Sequence, residues 1–187
     1  MKEGQVVKRL FIERKGKTEE IVVRFPKIGD ASELWKYYNK AIKETEFLSR
    51  INPVGLSDER RWLAGVLIGI RKKNRAHLLA VCGGKIVGSC SVERQITDTT
   101  RHIGTYGIAI LDGYKGYGLG RKMSDNVIAL AKKELRLEML QLSVYSRNTI
   151  AIGLYKKLGF RKIGSIPRGI KHGRRYMDNI IMCKALK

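Results

Sequence analysis

No apolar run in this chain approaches the ~20 residues that a membrane-spanning helix needs. The longest candidate, Trp62 to Ile70, stops well short of that, so no membrane partner is expected. The charged N-terminal stretch lacks the pattern of a secretory leader, and a cytoplasmic location is expected. Cysteine is scarce. Cys82, Cys90 and Cys183 make an odd count with no Cys-x-x-Cys, which reads as reduced thiols buried in a core rather than a disulfide framework. No metal is expected. Acidic residues are also few, 17 against 38 Lys and Arg, for a net charge of +21. Such a field attracts polyanions and repels cations, which argues against polycationic ligands. Either a nucleic acid associates weakly with the surface, or the charge serves only solvation. The cations are spread along the chain, densest at Arg71-Lys72-Lys73-Asn74-Arg75 and in the segment from Pro167 to Arg175.

What is present suffices for a folded domain. Apolar residues make up 43% of 187, enough for one hydrophobic core, and residues 1–187 are read as a single domain. Strands are expected at Val6–Glu13 and Glu19–Phe25, joined as a hairpin by Arg14-Lys15-Gly16-Lys17-Thr18. A helix opens at Asp30 and carries Leu34, Trp35, Tyr38 and Ile42. A second opens with N-cap character between Ser57 and Arg60. Strands follow at His77–Cys82 and Lys85–Arg94 around Gly83-Gly84, and at Arg101–Leu111. Met123, Val127, Leu130, Ala131 and Leu135 share one helical face. The next strand runs from Met139 to Tyr145. The last two, Phe160–Ser165 and Arg175–Lys184, are joined by a basic loop containing Pro167, Arg168 and Lys171. This order predicts a mixed α/β sheet rather than a regular βαβ repeat.

Between the strand ending at Leu111 and the helix of Met123 stands Lys115-Gly116-Tyr117-Gly118-Leu119-Gly120-Arg121. A glycine-rich turn that opens a helix directs free N–H groups to one point, where the helix dipole adds positive potential; phosphate oxygens bind there. No Gly-Lys-Ser/Thr follows, so this is not a P-loop. The strand after it ends in Val144-Tyr145-Ser146-Arg147-Asn148 without the acidic residue of a Rossmann dinucleotide site.

The next segment reads Asn148-Thr149-Ile150-Ala151-Ile152-Gly153-Leu154-Tyr155-Lys156-Lys157-Leu158-Gly159-Phe160. Asn148 suits an N-cap and Gly159 a C-cap. Ala151, Leu154, Tyr155 and Leu158 form an apolar face. This segment, with the glycine turn before it, strongly resembles the GNAT N-acetyltransferase superfamily. The resemblance implies that superfamily's mixed, mostly antiparallel sheet flanked by about four helices, here with an extra N-terminal strand. It also implies an acetyl-CoA-dependent enzyme that moves an acetyl group to a primary amine of a small molecule or protein, by direct attack in a ternary complex. Lys115 stands where the family pattern has Arg or Gln, a change that keeps charge but loses the bidentate fork.

Carried over residue by residue, the resemblance makes Tyr155 the proton donor to the leaving thiolate. Lys115, Gly116, Tyr117, Gly118, Leu119, Gly120 and Arg121 become the diphosphate site. Ile108, Ala109 and Ile110 become the edge along the pantetheine, and Asn148 contacts the coenzyme arm or helps build the splay between strands. The general base stays open: no carboxylate lies between His102 and Leu111. Glu93 acting through water is the choice made here, with Glu46 and His102 as other options, and Asp178 and Asn179 are candidates to shape the acceptor pocket. An oligomer is compatible with the sequence. The competing reading is a non-enzymatic acyl-CoA-binding or nucleic-acid-associated module on the same scaffold.

Overall fold

A computed structural model describes residues 1–186. Its strands are β1 (Val6–Arg14), β2 (Lys17–Arg24), β3 (Arg75–Cys82), β4 (Lys85–Arg94), β5 (Ile103–Ile110), β6 (Met139–Tyr145), β7 (Arg161–His172) and β8 (Arg175–Ala185). The helices are α1 (Ala31–Glu44), α2 (Leu56–Arg71), α3 (Leu119–Lys133) and α4 (Thr149–Lys157). All eight strands join one sheet in the order β1-β2-β3-β4-β5-β6-β8-β7. Only β5 and β6 pair in parallel; their connection passes through α3, the crossover a parallel pair requires. This is the expected mixed, mostly antiparallel sheet with four helices and an added N-terminal strand.

Two apolar layers sandwich the sheet. On one face, Met123, Val127 and Ala131 of α3 and Tyr155 and Leu158 around α4 pack on Leu78, Val92, Tyr106, Leu140 and Leu142. On the other, Leu34, Tyr37 and Ala41 of α1 meet Leu63 and Leu67 of α2 over Leu79 and Ile86. The i, i+3, i+7 spacing in α1 and the i, i+4 spacing in α3 are what a stripe facing a sheet demands. Ala76 to Ala80 of β3 are buried without interruption, as in a central strand covered on both faces. Entry into α1 is fixed by Asp30, whose carboxylate takes both Arg24 guanidinium nitrogens at 2.7 Å and the Lys27 N–H at 2.8 Å.

Two expectations need correction. Helix α2 is capped by Gly55 in extended conformation, not by Ser57; Glu59 N donates to Gly55 O at 3.1 Å, so the helix starts a residue before the serine. The basic segment after Ser165 is not a free loop. β7 runs on to His172, and the ladder skips between Ile166 and Ile170. Pro167 has no N–H for the ladder, and Arg168 swings to φ 53° while its N–H finds Asp178 Oδ1 at 2.9 Å. Among the described residues, no helix is long and apolar enough to cross a membrane. All three cysteines are free; Cys90 is buried as the sequence suggested, whereas Cys82, at the end of β3, and Cys183, near the end of β8, are half-exposed and correct that reading.

Candidate active site

The parallel pairing of β5 with β6 stops early. Ile103, Gly104 and Thr105 meet Met139, Leu140 and Gln141, and no later residues pair. β5 continues along β4 to the Ile110–Gly88 pair, and β6 along β8 to Tyr145–Asn179, so the two strands part and leave a gap. Leu111 N donates to Val87 O at 3.0 Å. Alternation along the strand therefore turns the N–H and C=O of Ile108 and Ile110 away from β4 and into the gap. Ala109 belongs to the other set, and its carbonyl accepts from the buried Tyr37 hydroxyl at 2.8 Å. An open strand edge of this kind receives an extended, amide-bearing ligand as an additional strand.

At the end of β5 the chain reaches the glycine turn. Gly116 and Gly118 have φ of 85° and 75°, the left-handed region that side chains disfavour, and a Cβ on either would meet nothing within 4 Å. Gly118 caps α3. The first helical bond runs from Lys122 N to Gly118 O at 3.1 Å, so the N–H groups of Leu119, Gly120 and Arg121 precede the helix's own acceptors. The members of this turn differ in role. The Leu119 side chain is buried and anchors the turn to the core, whereas Tyr117 is exposed. A Cβ on Gly120 would touch Ile110 and Leu154 at 3.4 Å, so this glycine lets α3 lie close to β5 and α4. Lys115 pairs with Asp112. Arg121 reaches Asp125 at 3.1 Å and the Lys157 carbonyl at 3.0 Å, joining α3 to the end of α4.

Asn148 behaves as the cap it was expected to be: its Oδ1 accepts from Ala151 N at 3.1 Å. About two turns beyond the cap, Tyr155 is 7% exposed, held edgewise against Tyr106 with ring centroids 5.8 Å apart and tilted against Phe160. Burial pushes its phenol well above the usual range, so it stays protonated. Its hydroxyl makes no hydrogen bond to the described residues, so its proton is uncommitted. Behind it runs a buried chain that the sequence did not advertise. Cys90 Sγ lies 3.7 Å from the Tyr106 hydroxyl, which lies 2.6 Å from Ser124 Oγ; that hydroxyl donates to Gly120 O at 2.6 Å. The chain ties β4 and β5 to the first turn of α3. A serine on an apolar helix face, facing a tyrosine in an apolar strand, was its only trace. Burial raises the Cys90 thiol to about 12, which rules out a thiolate nucleophile there.

Where β5 and β6 begin to part, one transverse row crosses the sheet: Arg75 opposite Glu93, Glu93 opposite Thr105, Thr105 opposite Gln141, Gln141 opposite Cys183. Opposed residues share a face. This face is that of α1 and α2, since Tyr145, two pairs beyond Ser143 on β6, packs on the α1–α2 loop. Tyr145 OH donates to Leu48 O at 2.8 Å, and its ring meets Phe47. Glu93, Thr105, Gly107 and Ser143 are exposed, giving an open polar floor beside the gap. Glu93 is the carboxylate of this row and forms an ion pair with Arg75. Glu46 lies in the α1–α2 loop, 3.0 Å from Arg175 of β8. Asp178 is taken up by the Arg168 N–H, whereas Asn179 ends the β6 pairing with its Oδ1 buried and unpartnered among the described residues. His102 lies before β5, exposed, at the closed end. The described residues contain no His, Cys, Asp or Glu cluster able to hold a metal ion.

Comparison with known proteins gives the same outline. The model of the acetyltransferase (GNAT) family matches residues 34–160. The L-amino acid N-acetyltransferase AaaT of Escherichia coli is 26% identical over 57% of this chain and 66% of its own length, just under two thirds of that relative. The SPbeta prophage-derived uncharacterized N-acetyltransferase YokL of Bacillus subtilis is 30% identical over 68% of this chain and 70% of its own. Among solved structures, an acetyltransferase of the GNAT family from Streptococcus pneumoniae superposes with a TM-score of 0.80 at 30% identity, covering 89% of this chain and 99% of that one.

Proposed function

This chain belongs to the acetyltransferase (GNAT) family, and from that premise we propose that it moves an acetyl group from acetyl-coenzyme A to a primary amine. Acetyl-coenzyme A, when bound, supplies an acetyl group already activated as a thioester. The observation that carries the reading is the parting of β5 from β6 next to a left-handed glycine turn. Open Cβ positions at Gly116 and Gly118 leave room for a diphosphate, and the N–H groups of Leu119, Gly120 and Arg121 offer it donors with the α3 dipole behind them. Ile108 and Ile110 offer their backbone groups to the amides of the pantetheine arm. Lys115 and Arg121 add long-range positive charge, and Asn148 orders the start of α4.

The amine must arrive neutral, attack the thioester carbon, and lose a proton, while the departing sulfur gains one. Tyr155 gives its phenolic proton to sulfur, since its hydroxyl is protonated and uncommitted. Glu93, on the polar floor, takes the amine's proton through a bridging water and Thr105. Amine and thioester meet directly across the gap, and no acetylated side chain intervenes. For the acceptor, the names of the relatives favour a small molecule carrying an α-amine: AaaT of Escherichia coli is an L-amino acid N-acetyltransferase. The positive field of the chain is compatible with a carboxylate on that molecule.

Thiol release from acetyl-coenzyme A, followed across a panel of L-amino acids and amine-bearing peptides, tests this, with the product identified by mass spectrometry. Acetylated amine in step with free thiol is the expected result. Thiol release without an acetylated amine, or no affinity for coenzyme A by calorimetry, refutes it.

A further inference from the structure

The β7–β8 hairpin is longer than the sheet that carries it. β6 stops pairing with β8 at Tyr145–Asn179, but β7 and β8 continue together through Ile170–Met177, Lys171–Tyr176 and His172–Arg175. The distal part is thus a two-stranded ribbon reaching past the sheet, at the end where β5 and β6 stand apart. From Arg161 to Met177 the sequence has Arg161, Lys162, Arg168, Lys171, Arg174 and Arg175, and no carboxylate. Every one of these six cations is exposed. Two carboxylates border the ribbon. Asp178 accepts from a backbone N–H, and Glu46 pairs with Arg175.

The cations are also partly ordered in advance. The Arg168 guanidinium carbon lies 4.2 Å from the centre of the Tyr176 ring, and Lys171 Nζ lies 5.5 Å from it. Tyr176 itself is 45% exposed. A protein surface usually interleaves charges of both signs; a ribbon of one sign, with an aromatic ring among the cations, departs from that.

We propose that the β7–β8 ribbon is a nucleic-acid-binding surface that holds the phosphodiester backbone without reading sequence. Arg168, Lys171 and Arg174 supply the phosphate contacts, and the Tyr176 ring offers a stacking edge to an unpaired base. An acidic protein would satisfy the charge but not the exposed aromatic ring. The inference stands apart from the acetyl-transfer reading, and either can fail alone.

The test is fluorescence anisotropy with a labelled 20-nucleotide oligouridine and a 20-base-pair DNA duplex, titrated with the whole chain over a range of salt. Wild type binds both. Single-strand affinity falls linearly in log–log form with salt, with a slope of about −0.7 per phosphate contact. Combining Arg168→Glu, Lys171→Glu and Arg174→Glu is expected to weaken binding at least tenfold and flatten the slope by about 2, the share of three contacts. The matched control, Lys8→Glu with Lys15→Glu and Lys17→Glu, changes the net charge equally on the opposite edge of the sheet and is expected to change affinity less than threefold. Equal losses in both triple variants, or no binding at low salt, overturn the proposal. So does displacement of the oligonucleotide by coenzyme A near its own Kd, which would assign the cations to the coenzyme. Displacement by polyglutamate at equal charge concentration would assign them to an acidic protein. Lysine footprinting on the unmutated chain gives a second readout: Lys171 is expected to be protected by oligouridine and Lys17 not. Protection of neither, or of both equally, also overturns it.

Discussion

Replacing Tyr155 by Phe removes one oxygen atom, and the structure says what that atom does not do. The hydroxyl makes no hydrogen bond to the described residues, while the ring keeps its edge contact with Tyr106 and its tilted contact with Phe160. No donor or acceptor inside the protein loses a partner, so stability is expected to change by less than about 0.5 kcal/mol. Turnover is expected to behave otherwise. If the phenol protonates the leaving sulfur, its loss lowers kcat by roughly a hundredfold, about 2.7 kcal/mol of barrier. KM for acetyl-coenzyme A should stay within about twofold, because the proposed diphosphate and amide contacts come from backbone groups elsewhere. Wild-type activity should also hold through the ordinary phenol range near pH 10, since burial raises the Tyr155 phenol above it. Steady-state kinetics from pH 7 to 10, with urea unfolding of both proteins, makes the measurement. A Phe variant as fast as wild type across that range leaves Tyr155 a packing residue and refutes the argument.

Acid should unfold the protein through His77, whose imidazole sits buried against Ser89 at 2.9 Å and stays neutral down to about 3. The unfolded chain takes up that proton near 6.5, so stability is intact above this pH and falls as pH drops toward 3. The loss is about 3 kcal/mol by pH 4, and urea midpoints for wild type and His77→Gln should converge as pH falls. Identical pH slopes would reject the assignment. Within the glycine turn, Gly118→Val is expected to abolish coenzyme A binding, through backbone strain of roughly 1–2 kcal/mol and displacement of the N–H groups. Gly120→Ala should bind nearly as wild type, and Gly120→Val should cost about 1–3 kcal/mol of stability by pressing on Ile110 and Leu154; calorimetry and thermal melts separate the two sites. Glu93→Gln should slow the reaction most at neutral pH and recover as the solution itself deprotonates the amine; a loss independent of pH would remove Glu93 as base.

Much of the fold was legible because its signals are local. The bounds of β6, Met139 and Tyr145, could be read directly, since Leu140, Leu142 and Val144 alternate with Gln141 and Ser143 and Ser146 to Asn148 close the segment. The Asn148 cap and the glycine turn were legible for the same reason: a cap or a left-handed turn restricts residue type wherever it occurs. The point where β5 leaves β6 was not legible. Tyr106 to Ile110 keep a strand pattern whether or not a neighbour is bonded to them, so only the register reveals the gap. β7 crosses a proline and resumes, because a ladder restored at Ile170 outweighs a local break at Pro167. Gly55 escaped notice as a cap because it has no side chain with which to signal one. Glu93 could be nominated from the absence of other carboxylates, but its place opposite Thr105 exists only in the assembled sheet.

Three residue pairs are all that join β5 to β6, and this bears on local stability. The sheet is two half-sheets sharing a short seam, held from one side by α3 and α4. A ligand lying in the gap occupies the place of the missing pairs, and its binding free energy adds to the folding equilibrium as RT ln(1 + [L]/Kd), roughly 2.7 kcal/mol at a hundred times Kd. If acetyl-coenzyme A lies in the gap as proposed, saturating coenzyme is expected to slow amide exchange of Tyr106 to Ile110 more than that of β1 and β2. Equal protection of both regions would place the ligand elsewhere.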